Sequence, residues 1–194
     1  MIPEILVNNI KKYVSLTDEE VDLFLSFWKN RKVKRKQLLV ETGEVARYQF
    51  FILSGCLRSF YTDSNGVEHN IQFAVDDWWI SDMASFLSQK PALLTVEALE
   101  DSEVMQIDSA GIEELYDRIP KLERFFRLLL QNAFIAQQQR ILSMISKTAE
   151  ERYSEFISKY PQFEQRIPQV HVASYLGITP EFLSKLRKKI FSSK

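Results

Sequence analysis

The spacing of apolar residues changes twice along the chain and predicts a β-rich region between two helical ones. Residues 15–28 carry apolar side chains at helical spacing behind a cap at Ser15 or Thr17. From residue 33 to residue 107, short alternating runs are separated by turn residues, with a strong hairpin signal at 63–66. Short strands at such regular spacing are typical of an antiparallel sandwich or roll rather than a parallel sheet.

A long helix is predicted at residues 121–146, which contain neither Gly nor Pro and follow Pro120, a residue suited to the first helical position. A helix of 26 residues spans roughly 39 Å, which is longer than a domain of this size usually covers. It either lies along the β-rich region as a core helix or pairs with a second copy of the chain across a two-fold axis, and we favour the pairing. The apolar stripe predicted to form this dimer contact is Leu122, Phe125, Phe126, Leu129, Ala133 and Ala136.

The most specific pattern lies at residues 167–190, which predict two short helices joined by a tight turn. Ala173 is small enough to let the helices approach closely, and Gly177 can adopt the left-handed conformation in the turn. Thr179 can cap the second helix, and Pro180 fits its first position. The inward residues of the second helix are predicted to be Phe182, Leu183, Leu186 and Ile190, and those of the first helix Val170, Val172, Ala173 and Leu176. Together these features predict a helix-turn-helix.

In a helix-turn-helix, the second helix enters the major groove and its first residues meet base edges. Glu181 can accept from a cytosine amino group, Lys185 can donate to guanine, and Ser184 can bond to bases or phosphate. An ordinary helical hairpin with a solvated face is the alternative, but the cap, the turn glycine and the basic outer face together favour DNA binding. The predicted DNA-contacting residues are Thr179, Pro180, Glu181, Ser184, Lys185, Arg187, Lys188, Lys189 and, on the first helix, Gln169.

Composition narrows the class of protein without deciding its function. The chain has 194 residues, of which 45% are hydrophobic and 26% charged, and a net charge of −1. These values fit a folded globular protein and exclude disorder. The chain has no apolar run of membrane-spanning length, no secretion signal at its start and a single cysteine, Cys56. We therefore expect a cytoplasmic protein without disulfides.

The whole chain resembles the Crp/Fnr family, which includes the cyclic-AMP receptor protein and the fumarate-nitrate regulator. In the resemblance, Glu181, Ser184 and Lys185 occupy the Glu-x-x-Ser-Arg pattern with which the oxygen-responsive branch reads bases. Lys in place of Arg keeps the charge but loses the two-pronged donor, which implies a different preferred base step. The partners implied are double-stranded DNA, a second copy of the chain and RNA polymerase. The resemblance is carried by residues 41–44, 50–58, 149–153 and 167–187.

The resemblance fails at the ligand pocket. Nucleotide-binding members grip ribose and cyclic phosphate with a Gly-Glu pair and an Arg-Ser/Thr-Ala triplet. Here Ser81-Asp82 and residues 92–94, Ala-Leu-Leu, stand in those places. Asp82 can hold a ribose hydroxyl, but Ala92 offers no charged donor to a phosphate, so we predict no response to cyclic AMP. The residues expected to line any remaining ligand pocket are Trp79, Ser81, Asp82, Met83, Ala92 and Leu93.

The sequence also argues against the family's cofactors. An iron–sulfur cluster needs about four thiolates, and Cys56 is the only cysteine, so no cluster is expected. A haem sensor has little support, because His69 and His171 are more simply interpreted as surface or hydrogen-bonded histidines. Only residues 191–194 follow the second helix of the motif, which is too few for the β-hairpin wing that many relatives carry. We therefore expect no cofactor, no metal and no full wing.

Two other functions compete with that of a DNA-binding regulator. A cupin-like metal enzyme needs clustered histidines, and only His69 falls in the roll, while no phosphate loop or nucleophile elbow is present. We therefore expect no enzyme. The alternative left open is a small-molecule binding module around Trp78, Trp79, Met83 and Phe86, with DNA binding lost or secondary. These residues are more often part of a hydrophobic core.

The sequence therefore predicts an α+β protein in three parts. Residues 1–118 form a cyclic-nucleotide-binding-like β roll (jelly roll), residues 119–146 a dimerisation helix, and residues 147–194 an all-α helix-turn-helix domain without a full wing. The predicted function is that of a bacterial transcription regulator, which binds a palindromic DNA site as a homodimer.

Overall fold

The computed structural model describes residues 4–192, with the side chains of residues 190–192 left out. The helices are α1 (Glu4–Lys11), α2 (Asp18–Ser26), α3 (Met83–Ser88), α4 (Ser109–Arg118), α5 (Lys121–Ser146), α6 (Ala149–Lys159), α7 (Phe163–Arg166), α8 (Gln169–Leu176) and α9 (Pro180–Ser192). The strands are β1 (Lys29–Val33), β2 (Leu38–Val40), β3 (Tyr48–Ser54), β4 (Cys56–Thr62), β5 (Glu68–Val75), β6 (Trp79–Ile80), β7 (Thr95–Ala98) and β8 (Ser102–Asp108).

The strands form two antiparallel sheets, in the orders β1-β8-β3-β6 and β2-β7-β4-β5. The hairpin between β4 and β5 falls at the predicted turn. Apolar side chains from both sheets meet in one core between them. The predicted α+β fold, with an antiparallel roll, one long helix and C-terminal helices, is therefore confirmed. The side chain of Ile190, predicted to face inward, and the predicted lack of a wing lie outside the described residues.

Reciprocal side-chain caps fix the starts of two helices. Thr17, rather than Ser15, caps α2: its hydroxyl accepts from the Glu20 N–H, and the Glu20 carboxylate accepts from the Thr17 N–H. The same reciprocal pair caps α6, through Thr148 and Glu151. Because each pair satisfies two otherwise unpaired N–H groups, these helices begin at fixed positions. No helix within residues 4–192 is both long enough and apolar enough to cross a membrane.

The first turns of α5 complete the core of the roll. Phe125 and Phe126 are buried and lie edge-on to each other, with ring centroids 5.0 Å apart. Both contact the indole of Trp79, which in turn packs against Phe51 at 5.0 Å. Edge-to-face aromatic pairs of this kind add to the free energy gained from burial alone. The start of α5 is therefore fixed to the roll by aromatic packing.

A second hydrophobic core joins the roll to the C-terminal helices. Because side chains alternate along a strand, Ala74 faces the core of the roll while Phe73 and Val75 face outward. The outward pair and Cys56 are covered by residues of the C-terminal helices, including Phe163 and Val172. The division of the chain at residue 147 stays a prediction, since the helices that follow share this core with the roll.

Polar contacts at the same junction are centred on a buried arginine of β4. The side chain of Arg58 is 5% exposed and pairs with the carboxylates of Glu68 and Glu97, each at 2.6 Å. Its Nη1 also lies 3.0 Å from Nδ1 of His171 on α8. Burial, and then the positive charge of Arg58, lower the pKa of His171, while Glu68 and Glu97 act in the opposite direction. His171 is therefore neutral when α8 is docked on the roll.

We expect the stability of the protein to fall on acidification because of His171. Its ordinary pKa of 6.5 is lowered in the folded state, so unfolded chains bind the proton more readily below that pH. The contribution of His171 to the free energy of unfolding is present above pH 6.5 and is lost as the pH falls through the lowered pKa of the folded state. Urea midpoints measured between about pH 7.5 and 5.5 should fall less steeply for His171→Gln than for the wild type. His69→Gln, on the exposed hairpin, is the control; an unchanged slope for His171→Gln contradicts the expectation.

Candidate nucleic-acid interface

The predicted helix-turn-helix is formed by α8 and α9. Gly177 ends α8 with φ 66° and ψ 38°, the left-handed conformation for which glycine is suited. A Cβ at Gly177 would lie 2.6 Å from Cε of Met144 on α5, so a larger residue would also force this methionine side chain to move. The hydroxyl of Thr179 accepts from the Phe182 N–H at 3.2 Å and caps α9 as predicted. The turn is thus set by one glycine and one cap.

Most of the predicted inward residues of the motif are buried, but two are not. Ala173 is fully buried where the helices cross, and Leu183 and Leu186 are buried beside it. Val170 is 53% exposed and Phe182 is 45% exposed, so placing their side chains in the core was wrong. In α9 the buried row runs through Leu183 and Leu186, and Phe182 is rotated by about 100° from the first of them. Phe182 therefore lies on the outer face, beside Glu181.

The outer face of α9 is open and polar. Glu181, Ser184, Lys185 and Lys188 are all exposed, as are Gln169, Thr179 and Pro180. Hydrogen bonds from its own backbone N–H and from Thr179 lower the pKa of Glu181, which therefore remains ionised at neutral pH. This face has the groups needed to donate to and accept from base edges.

Two of the predicted phosphate contacts are already engaged within the chain. Nη2 of Arg187 lies 3.1 Å from the carboxylate of Glu164, and Nζ of Lys189 lies 2.7 Å from that of Glu150. Lys188 has no ion pair within the described part of the chain. A phosphate can therefore approach Lys188 without competing with a carboxylate of the described residues.

Helix α8 is held between the roll and α5. On one side, the hydroxyl of Ser174 donates to the Glu68 carbonyl at 2.7 Å and accepts from the Asn70 N–H at 2.9 Å. On the other, the guanidinium of Arg140 on α5 donates to the carbonyls of Asn70, Ile71 and Tyr175 at 2.6 to 3.0 Å. It also lies 4.1 Å from the centroid of the Tyr175 ring. The orientation of the motif is therefore set by two other parts of the protein.

The predicted dimer stripe lies on the side of α5 that faces the roll. Leu122, Phe125 and Phe126 are buried in the chain's own core, and Leu129 packs against it. Leu122, Phe125 and Phe126 are not accessible to a partner, because the aromatic core of the roll covers them, whereas Leu129 is partly exposed. Ala133 and Ala136 are exposed but line a cleft beside the roll.

A different apolar row of α5 is exposed. Phe134 is 69% exposed and Ile145 is 79% exposed. The spacing of the row alternates between four and three, as in a coiled-coil seam, with Gln137 as its single polar member. This exposed row was not predicted from the sequence. Helix α5 carries apolar residues on more than one face, and their spacing does not show which face is exposed. The row consists of Leu130, Phe134, Gln137, Ile141 and Met144, with Ile145 beside it.

The segments that stand in place of the family's nucleotide-binding residues form hydrogen bonds with each other. One oxygen of the Asp82 carboxylate accepts from the Ser85 N–H, and the other accepts from the N–H groups of Leu93 and Leu94, all at 3.0 Å. Asp82 is 3% exposed, and Ala92 beside it is buried. Its burial and its three backbone donors argue against the expectation that Asp82 holds a ribose hydroxyl, which stays a prediction.

The remaining predicted pocket residues are divided between a cleft and the surface. Trp79, Ser81 and Met83 line a cleft of about 1200 Å³ between the roll, the second half of α5 and α6. Leu93 is exposed and does not line this cleft. The indole of Trp78 packs against Tyr160 and a phenylalanine of the C-terminal helices. Phe86 is buried in the core of the roll.

The single cysteine lies in the core and not at the surface. Cys56 is fully buried, and this burial raises the pKa of its thiol to about 12. Because the thiolate is the reactive form, this cysteine is inert at neutral pH. Within residues 4–192, no group of three or more His, Cys, Asp or Glu side chains is arranged to hold a metal ion.

Known proteins resemble this chain in sequence over most of its length. Residues 30–119 match the cyclic nucleotide-binding domain family. The fumarate and nitrate reduction regulatory protein of Vibrio cholerae is 27% identical over 184 residues, covering 89% of this chain and 73% of that protein. The transcriptional activator Anr of Pseudomonas aeruginosa is 25% identical over 185 residues, covering 89% and 75%. These relatives are regulatory proteins and transcriptional activators rather than enzymes.

Solved structures share the fold. FixK2 from Bradyrhizobium japonicum superimposes with a TM-score of 0.75 at 17% identity, covering 86% of this chain and 85% of that one. The c-di-GMP responsive regulator CLP of Xanthomonas campestris gives 0.73 at 12% identity, covering 91% and 93%. The matched domain and the regulatory relatives, together with the order of roll, long helix and helix-turn-helix, make the chain similar over most of its length to transcription regulators of the Crp/Fnr family.

Proposed function

We propose that the protein binds DNA sequence-specifically as a homodimer on a palindromic site. The observation that carries this proposal is the face of α9, which is exposed, polar and partly basic while its opposite face is buried. A helix of this kind, which follows a tight turn, fits the major groove. DNA binding of this kind takes place in the bacterial cytoplasm. Contact with RNA polymerase stays a prediction.

Base reading is assigned to the first two turns of α9. Glu181 accepts from a cytosine amino group, Lys185 donates to guanine, and Ser184 bonds to a base or a phosphate. Phe182, which was not among the predicted DNA-contacting residues, adds an apolar contact for a thymine methyl group. Its 45% exposure supports this role, whereas the sequence pattern alone placed it in the core.

Backbone contacts are assigned to the ends of the motif. Lys188 pairs with a phosphate, and Gln169 at the start of α8 hydrogen-bonds to another, while Thr179 and Pro180 bring the turn close to the duplex. Arg187 and Lys189 contribute less than predicted from the sequence, because each is already paired with a glutamate. The contacts of Lys188 and Gln169 position the helix without reading sequence.

Selection from a random-DNA pool with the purified protein tests the proposal directly. We expect an enriched inverted repeat with half-site centres about one helical turn, roughly 34 Å, or a multiple of it apart. A single enriched half-site would support sequence reading but contradict the dimer. No enrichment, with or without candidate effectors, would contradict sequence-specific binding.

Lys185 and Lys188 are expected to behave differently when replaced. Lys185→Ala should cost roughly 1 to 3 kcal/mol on the selected site and relax preference at one base position. Lys188→Ala should weaken binding evenly on all sequences and lower the slope of log affinity against log salt by about 1. Both side chains are exposed on α9, so each variant controls for the other. Equal, sequence-independent losses would contradict base reading by Lys185.

The dimer contact is assigned to the exposed row of α5 rather than to the stripe predicted from the sequence. Leu130, Phe134 and Ile141 place large apolar side chains in water in the isolated chain. Burying such a seam against its own copy is favourable and closes with two-fold symmetry. Gln137 in the same row can fix the register of the two helices, as single polar seam residues do in coiled coils.

Phe134→Glu should therefore convert the dimer to a monomer, since two carboxylates would be buried at the seam. Light scattering and sedimentation at micromolar concentration measure the mass. Leu93→Glu, at an equally exposed position on the roll, is the matched control and should remain dimeric. If Phe134→Glu remains a dimer, the assigned seam is wrong.

The roll is proposed not to respond to cyclic AMP. The three N–H groups around the Asp82 carboxylate are already saturated, and a second anion there would be repelled. Ala92 supplies no compensating cation. The cleft beside Trp79 and Ser81 supports the alternative function, binding of another small molecule.

Calorimetric titration should show no binding of cyclic AMP to the wild-type protein at millimolar concentration, and the affinity for the selected DNA should be unchanged by it. The double variant Asp82→Gly, Ala92→Arg removes the internal anion and adds a donor. It therefore tests whether these two features cause the lack of cyclic AMP binding. Tight binding of cyclic AMP by the wild type would contradict this part of the proposal.

A further inference from the structure

His171 of α8 makes a contact with the roll that depends on its own protonation state. The chain has two histidines, and the other, His69, lies on the exposed hairpin, where it pairs with Asp63. His171 is partly exposed, and its Nδ1 lies 3.0 Å from Nη1 of Arg58 on β4. Histidine is the side chain that ordinarily changes its charge between pH 5 and 8. The docking of α8 on the roll therefore includes a contact that titrates near neutrality.

The geometry of this contact requires a neutral imidazole. A guanidinium can only donate hydrogen bonds, so Nδ1 of His171 must accept from Arg58 and carries no proton. After protonation both ring nitrogens are donors, so two N–H groups and two positive charges face each other. The pKa of His171 is lowered accordingly, first by burial and then by the charge of Arg58.

Arg58 is held too firmly to turn away from a protonated His171. Its guanidinium pairs with the carboxylates of Glu68 and Glu97, each at 2.6 Å, and lies 4.0 Å from the centroid of the Phe60 ring. The side chain of Arg58 is 5% exposed, so it reaches water only by breaking these pairs. The repulsion is therefore relieved by movement of His171, and α8 moves with it.

The two carboxylates do not compensate a positive charge on His171. Both already pair with Arg58, and each raises the pKa of His171 by less than burial or Arg58 lowers it. The side chain of Glu68 is 43% exposed, so water screens its charge. Helix α8 has no carboxylate of its own, and His171 lies in its first turn, where the helix dipole disfavours a cation.

The other polar contacts that dock α8 do not titrate near neutrality. They are made by the hydroxyl of Ser174 and the guanidinium of Arg140, whose charges are constant between pH 5 and 8. Elsewhere at the junction, Arg166 of α7 pairs with two carboxylates of the roll. A range of about pH 7.5 to 5.5 lies above the ordinary titration of carboxyl groups. In this range, His171 is therefore the group among these contacts whose charge changes.

We propose that protonation of His171 releases the helix-turn-helix from the roll and thereby weakens binding to the operator. The inference rests on the proposed function and adds its regulation. In the docked arrangement, the roll and α5 fix the orientation of the motif through α8. A reading helix held in one orientation loses less conformational entropy on binding than a mobile one. Acidification therefore shifts the protein towards an arrangement that binds DNA less tightly.

A purely structural contact predicts a different result. If His171 only supplied an acceptor to Arg58, any neutral acceptor would serve, and docking would not depend on pH between about 7.5 and 5.5. The variant His171→Gln supplies an amide oxygen without a group that titrates. Comparison of this variant with the wild type therefore separates a switch from a structural contact.

Cys56 reports undocking of the C-terminal helices. It lies two residues before Arg58 on the same face of β4, is fully buried, and belongs to the second core that these helices cover. It is the only cysteine of the chain, so a thiol reagent labels one site. The probe is 4,4′-dithiodipyridine. Its rate of reaction with the folded protein, divided by the rate with urea-unfolded protein at the same pH, measures the undocked fraction.

We expect this rate ratio to rise roughly tenfold in the wild type between about pH 7.5 and 5.5. Undocked His171, with its ordinary pKa of 6.5, takes up a proton that docked His171 does not. His171→Gln should show no such rise, and the control His69→Gln should behave like the wild type. His171→Lys carries a positive charge throughout this range, so its ratio should be raised already at pH 7.5.

Urea separates undocking from global unfolding. Undocking exposes little surface, so the wild-type rate should depend only weakly on urea below the unfolding transition. Reaction through global unfolding would follow the full urea dependence of the free energy of unfolding. Circular dichroism checks that each variant, including His171→Lys, keeps the helix and strand content of the wild type.

Fluorescence anisotropy on the selected operator tests the regulatory step. Between about pH 7.5 and 5.5, the affinity of the wild type should fall several-fold more than that of His171→Gln. His69→Gln should again follow the wild type, because His69 takes up its proton without a contact to Arg58.

Three results would overturn the inference. A rate ratio that rises equally in the wild type and in His171→Gln would exclude release by His171. A full urea dependence of the wild-type rate would exclude local undocking. A rise confined to the wild type, with equal pH dependence of operator affinity in both proteins, would exclude regulation of binding. Failure to enrich any operator would instead overturn the proposed function, while the rate ratio would still decide whether His171 controls docking.

Discussion

The arrangement of the three parts of the protein depends on the partly buried guanidinium of Arg140. It extends from α5 and donates to carbonyls of β5 and of α8, so one side chain links the long helix, the roll and the DNA-reading motif. Burial lowers its pKa from the ordinary value, but an arginine beside three carbonyl acceptors still keeps its proton. A lysine there would offer the charge without the planar fork that satisfies several acceptors at once. The positions of α5, the roll and α8 are therefore linked through the hydrogen bonds of one side chain.

The sequence predicts the fold well where a feature is local. The hairpin at 63–66, the caps at Thr17 and Thr179 and the turn at Gly177 all depend on a few neighbouring residues, and each is found where the pattern placed it. The periodicity of α5 predicts its length, and Lys121–Ser146 agrees with the sequence. Local chemistry fixes these elements, because each satisfies backbone groups within a few residues.

Features that depend on distant residues are predicted less well. The apolar stripe of α5 is real, but periodicity does not say whether a stripe meets its own roll or a second chain, and Leu122 and Phe125 meet the roll. The sequence pattern suggests a ligand-binding role for Asp82. It does not show that the Asp82 carboxylate accepts hydrogen bonds from the N–H groups of Leu93 and Leu94, because these residues lie more than ten positions further along the chain.

The shared core between the roll and the C-terminal helices has a consequence for how the protein is made. Phe73 and Val75 lie on a strand that leaves the ribosome about 100 residues before Val172, one of the residues that cover them. At synthesis rates of roughly 5 to 20 residues per second, this apolar face stays uncovered for roughly 5 to 20 seconds. During that time it can bind a chaperone or another nascent chain, so yield in the cell is governed by how soon the last helices arrive.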